Sequence, residues 1–209
     1  MKIFHKFHER VNPNHTAVII VDVQNDFVHE KGSLSMAGRD VRPAQAVIPT
    51  IEELVKKTRE RGVRLIWVRT EHAPWTNSAA WLGRIERKQD IKHFPICSVG
   101  SWGSEIYRLK VKSEEIVVTK HRYSAFLNTD LDLILRSLEI RTVIIAGVTT
   151  NVCVESTARD AIMRDYYTVT LSDCTAADSE EEHNASLYTL GHYFGIVTTS
   201  AELFHAWEN

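Results

Sequence analysis

Residues 143–160 read VIIAGVTTNVCVESTARD, and this stretch decides the fold. Its first residues, Val143, Ile144, Ile145 and Ala146, form an unbroken apolar run, the pattern of a strand buried on both faces. Gly147 breaks the run. Thr150 and Asn151 are helix-capping types, and Glu155 and Arg159 stand one turn apart on the helix that follows. Cys153 falls in its first turn. The pattern is a strand, a tight turn, and a thiol held over a helix N-terminus. Unpaired N–H groups and the positive end of the helix dipole lower a thiol pKa there and favour thiolate. The plainer reading of Cys153 is a small buried hydrophobe. A base supplied from elsewhere in the chain would separate the two.

Upstream, residues 16–21 (TAVIIV) make a second continuous apolar run, which ends at Asp22 within VDVQNDF. Residues 29–40 read as a loop. A helix is predicted over 44–61, with Val47, Ile48, Ile51, Leu54 and Val55 as its buried stripe and Gly62 as its C-cap. Residues 63–68 form the next strand. Strand, helix, strand is the unit of a parallel sheet. Residues 70–103 are irregular, carry Trp75, Trp81 and Trp102, and include a short helix predicted over 79–87. Such a segment makes a pocket wall, or else covers a sheet edge or an oligomer interface. A further short helix is predicted over 104–109.

A third strand over 115–119 runs into Lys120 and KHRYSAF. A helix over 129–139 follows, with Thr129 and Asp132 as its capping box. Downstream of the Cys153 helix come a strand over 167–171, a helix from Ser179 to about Tyr193, a strand over 196–198 and a closing helix over 200–207. Six strands alternating with helices predict a three-layer α/β/α fold, a doubly wound six-stranded parallel sheet. Residues 1–209 read as one domain, with 1–15 a loosely packed N-terminal arm.

Composition narrows the partners. The formal charge of −2 over 209 residues gives no reason to expect nucleic acid or an anionic membrane. Three scattered cysteines, Cys97, Cys153 and Cys174, make neither a disulfide framework nor a zinc ribbon, and fit a reducing, cytoplasmic setting. The opening MKIFHKFHER lacks the apolar core of a signal peptide. No apolar run reaches the ~20 residues of a membrane span.

Asp22, Lys120 and Cys153 each follow a strand. Carboxyl ends of parallel strands share one edge of the sheet, so the three side chains can meet. The lysine lowers the thiol pKa, and the aspartate takes the thiol proton and returns it to a leaving amine. Taken singly, Lys120 reads as a surface lysine and Asp22 as a turn former. Together, VDVQNDF, KHRYSAF and AGVTTNVCVESTARDA resemble the isochorismatase-like cysteine hydrolases, over about residues 17–204. The resemblance implies a catalytic triad of Asp22, Lys120 and Cys153 that works through a thioester without a cofactor. It also implies a cis peptide at Val148–Thr149, with the Thr149 and Cys153 N–H groups forming an oxyanion hole.

Within that family the motifs are most similar to ureidoacrylate amidohydrolases. Biuret and triuret hydrolases and N-carbamoylsarcosine amidases are neighbouring alternatives, and amidases for maleamate or nicotinamide, or a non-catalytic binding protein, are more distant ones. The biuret enzymes tend to carry glycine and lysine where this chain has Arg122 and Tyr123. The implied partner is a small ureido or amide substrate, and the implied assembly a homodimer or homotetramer. Phe27, Trp75, Trp81 and Tyr123 are candidates for a pocket wall, with the backbone at Val148 and the Gln24 amide beside it. Arg122 is the candidate partner of a substrate carboxylate, or else a surface arginine. Nicotinamidases hold a metal through an aspartate and two histidines after the second strand. Here that loop offers Glu71 and His72 with no second histidine close by, His93 lying far along in a charged segment, and no metal is expected.

Overall fold

The computed structural model describes residues 3–86 and 95–208. Six parallel strands form one sheet: β1 (Thr16–Val21), β2 (Arg64–Thr70), β3 (Ile116–Lys120), β4 (Thr142–Val148), β5 (Tyr167–Ala176) and β6 (Ile196–Thr198), in spatial order β3-β2-β1-β4-β5-β6. β1 is central, with Val18 beside Leu65 of β2 on one side and Ile144 of β4 on the other. The chain moves outward from β1 to β3, then returns across β1 to β4. The crevice outside the ends of β1 and β4 is therefore the point where strand order reverses.

Both faces of the sheet are covered, which is why β1 and β4 are apolar at nearly every position. On one face Val18, Ile20, Trp67, Ile144 and Leu171 pack against the helix Ile48–Glu60 and the closing helix Ser200–Glu208. On the other, Ala17, Ile19, Val21, Val68 and Ile145 pack against the helices Leu131–Ser137 and Glu155–Ile162. Neighbouring β1 residues thus serve opposite cores, as the pleat requires. The fold is the doubly wound three-layer arrangement that the sequence predicts. Among the described residues, no helix is long and apolar enough to cross a membrane.

Several local expectations are corrected. Residues 3–15 are no loose arm: Phe7–Arg10 is helical, Val11 is fully buried, and its carbonyl accepts from Trp207 Nε1 at 2.8 Å. The helix expected over 104–109 does not form beyond the 3₁₀ turn Trp102–Ser104. Ile106 bridges Gln24, and Tyr107 N–H donates to Val23 O at 2.8 Å, so the end of β1 captures this backbone. The 44–61 helix is two pieces, Arg42–Ala46 and Ile48–Glu60. The loop at 29–40 contains a helical turn, Ser33–Met36. Asp132 makes no capping box; it accepts from Arg136 Nε at 3.0 Å and from the Tyr166 hydroxyl at 2.9 Å. β2 and β5 run further than predicted, to Thr70 and Ala176.

Candidate active site

Four strand ends deliver the polar groups of the crevice. Asp22 follows β1 in a left-handed conformation (φ 52°), with its N–H bonded to Val68 O at 2.9 Å. Thr70 closes β2, Lys120 closes β3, and Cys153 sits in the turn after β4. Lys120 Nζ lies 2.6 Å from Asp22 Oδ2. It donates to the Thr70 hydroxyl at 2.7 Å, to the Arg122 carbonyl at 3.0 Å and to Cys153 Sγ at 3.5 Å. With Asp22 these make four partners for the three protons of an ammonium, which are therefore shared among them. The Thr70 hydroxyl in turn donates to Asp22 Oδ1 at 3.1 Å. The structure thus brings Asp22, Lys120 and Cys153 together and adds Thr70, which the sequence reading left out because it ended β2 at residue 68.

Burial governs the electrostatics. Asp22, Lys120 and Cys153 are all buried. Burial alone would lower the Lys120 pKa, but the charge of Asp22, with Cys153 beside it, outweighs that and raises it, so the ammonium persists. The thiol departs from expectation. Burial pushes the Cys153 pKa up to about 12, with Lys120 opposing and Asp22 adding to the rise. The helix-start argument for a resting thiolate therefore fails here, because desolvation of the sulfur outweighs the cation at 3.5 Å.

The turn that presents Cys153 is a wide π-helical one, Thr150–Val154, in which Val154 N–H reaches Thr149 O at 3.2 Å. The Val148–Thr149 peptide is cis. Thr150 and Asn151 do not cap the helix; Thr149 occupies that position. Instead the Thr150 hydroxyl lies 2.8 Å from His183 Nδ1, and Ser186 Oγ donates to Glu155 Oε2 at 2.6 Å, so the helix Glu180–Thr189 braces the turn from outside.

The residues proposed for substrate contact divide. Gln24 is buried and committed to the chain: its Nε2 donates to Thr70 O and Ser104 O, both at 2.8 Å, and its Oε1 accepts from Thr70 N–H at 2.7 Å. Val148 is fully buried, so only its backbone can face a ligand. Phe27 packs against the core on the Ile48–Glu60 face. Trp75 is 80% exposed and does not line the cavity described next. Arg122 donates to His121 O at 2.6 Å and to Thr76 O at 3.1 Å, and so staples two loops together.

A cavity of about 470 Å³ lies between His72, Pro74, Trp81, Arg84, Pro95 and Val99, among others. The catalytic candidates are not part of its lining. His72, two residues beyond Thr70, connects the two regions. Burial, then Arg84 and Lys120, hold the His72 pKa down at about 4, so the ring is neutral at pH 7. Trp81 lies 5.6 Å from His72 and 4.9 Å from Tyr123, ring centre to ring centre. Among the described residues, no three His, Cys, Asp or Glu side chains cluster as a metal site would require. His93 lies outside the described residues.

The sequence and the fold are similar to those of known proteins. An isochorismatase-domain profile matches residues 16–202. The ureidoacrylate amidohydrolase RutB of Acinetobacter baylyi is 34% identical over 212 aligned positions, covering 94% of this chain and 85% of that protein. A crystal structure of a cysteine hydrolase from Pseudomonas syringae pv. phaseolicola superposes with a TM-score of 0.83 at 31% identity, covering 95% of both chains. The N-carbamoylsarcosine amidase of Thermoplasma acidophilum gives 0.73 at 27% identity, covering 88% of this chain and 96% of that one. A sheet whose reversal point gathers a carboxylate, an ammonium and a thiol, matched over most of its length, assigns the chain to the isochorismatase family.

Proposed function

We propose that this protein is a cysteine-dependent amidohydrolase that cleaves the C–N bond of a small carbamoyl compound, with a ureido acid such as ureidoacrylate first among candidates. The observation that carries the reading is the buried contact of Lys120 with both Asp22 and Cys153 at the strand-order reversal. The names of the amidohydrolase relatives support the bond type.

The thiol is protonated at rest, so its proton moves to Asp22 as sulfur attacks the carbonyl carbon. The Thr149 and Cys153 N–H groups receive the oxyanion. The C–N bond then breaks, the amine leaving with the proton held on Asp22, and a thioester remains on Cys153. Water attacks it, giving its proton to Asp22, and the thiol is restored. Lys120 keeps Asp22 ionised between these transfers and stabilises the developing thiolate.

Turnover of ureidoacrylate, biuret, N-carbamoylsarcosine and nicotinamide, compared as kcat/KM, tests the reading. Ureidoacrylate should lead, and Cys153→Ala should be inactive on every compound. Wild-type rates in Cys153→Ala would end the covalent mechanism. A large lead for biuret, which has no carboxylate, would end the ureido-acid assignment and leave the chemistry standing.

A further inference from the structure

The cavity beside His72 carries positive charge that the catalytic chemistry does not use. Arg84, on the helix Ala79–Glu86, lines it. The guanidinium carbon stands 3.4 Å from the centre of the Trp81 ring, and that of Arg122 stands 4.6 Å from the same centre. Arg84 Nε donates to the Tyr123 hydroxyl at 3.0 Å, and one Nη1 proton goes to the Trp81 carbonyl. A guanidinium has five N–H groups. Three of those on Arg84 therefore remain, and among the described residues no carboxylate forms an ion pair with it. The described residues that line the cavity include no acid.

Arg122 differs. Its Nη1 and Nη2 both bond backbone carbonyls. Each arginine keeps three N–H groups, but Arg122 does not line the cavity, whereas Arg84 does, and among the described residues its Nη2 makes no hydrogen bond. A planar guanidinium held over an indole suits a carboxylate, which it binds with two parallel hydrogen bonds at little ordering cost. His72, which also lines the cavity, is neutral and adds no competing charge.

We propose that Arg84, rather than Arg122, is the specificity-determining residue of this cavity, receiving the carboxylate of an anionic planar substrate whose carbamoyl end reaches Cys153. The identity of that carbamoyl end rests on the amidohydrolase reading; the anion pocket rests on Arg84, Trp81 and Tyr123.

The test compares ureidoacrylate with its neutral primary amide on wild type, Arg84→Gln, Arg84→Lys and Arg122→Gln. In Arg84→Gln the preference for the acid over the amide should fall at least about tenfold, mainly through KM, because a charge-assisted bidentate contact is lost. Arg84→Lys keeps the charge without the fork and should fall between wild type and Arg84→Gln. It also decides the case if the glutamine variant does not fold. An unchanged preference in the Arg84 variants, or an equal fall in Arg122→Gln, would overturn the proposal. If wild type hydrolyses neither compound, the ureido-acid assignment fails and calorimetric titration with maleate decides the pocket. Maleate binding that Arg84→Gln weakens upholds it, and binding that is absent or insensitive to Arg84 overturns it.

Discussion

Lys120 Nζ and Asp22 Oδ2 form an ion pair at 2.6 Å with both side chains closed off from solvent. Such a pair is poor evidence for stability, because desolvating two charges offsets their attraction, yet removing one partner strands the other. Lys120→Met should therefore cost about 3–5 kcal/mol in urea unfolding, since it leaves Asp22 as an uncompensated buried anion. Adding Asp22→Asn to the same chain should recover much of that loss while activity stays absent. A double variant no more stable than Lys120→Met would show that the pair is not energetically coupled.

The Cys153 thiol sits at about 12 because burial raises it. A resting thiol is then protonated at neutral pH, and alkylation should climb roughly tenfold per pH unit from pH 7 to 9. Peptide mass spectrometry after iodoacetamide, read at Cys153, gives the profile. A plateau below pH 9 would mean that Lys120 overrides desolvation and the resting state is thiolate. The linkage has a definite sign. The folded state holds this proton more tightly than the unfolded chain, so the contribution is fully present below the unfolded thiol pKa, near 9. It is lost as pH rises from there toward the folded value.

What the sequence disclosed follows from how this fold buries its parts. β1 and β4 lie between two cores, so they appear as bare apolar runs, and their ends fix where Asp22 and Cys153 stand. The helix Ile48–Glu60 shows its stripe because one face meets the sheet. Residues 104–109 look helical by composition, yet the end of β1 captures their backbone through Ile106 and Tyr107. The thiol was misjudged for a related reason: a helix start is local and readable, whereas the burial of Cys153 comes from the whole core around it. Arg84 carried one faint signal, its place three residues after Trp81 on a predicted helix, which puts both on one face. Nothing in that spacing distinguishes it from Arg122.

Turnover should survive exhaustive chelation. Among the described residues, no three His, Cys, Asp or Glu side chains converge as a metal site would require, Glu71 and His72 included. Activity and bound metal, measured before and after treatment, should both be unaffected by the chelator. A stoichiometric ion whose removal abolishes turnover would refute this.

Gly147 is where the two halves of the crevice are held in register. It pairs with Val21 across β1 and β4, and the β4–β5 register shifts between Ile145 and Gly147. Its φ is 118°, a region that L side chains rarely adopt, and a Cβ there would lie 2.0 Å from Val21 O and 2.7 Å from Val21 N. The neighbour is backbone, so no side chain can swing aside. Gly147→Ala must therefore push apart the ends of β1 and β4, and Asp22 is the next residue after Val21. The conformational cost alone is about 1–3 kcal/mol, and the overlap adds to it. The loss in urea unfolding should exceed about 3 kcal/mol, with kcat falling as Asp22 leaves the position set by Lys120. Gly62 provides the comparison. It also has a positive φ, 66°, but a Cβ there meets nothing within 4 Å. Gly62→Ala should cost only about 1 kcal/mol and leave kcat unchanged. If the two variants unfold at the same urea concentration, the approach to Val21 is not what fixes glycine at position 147.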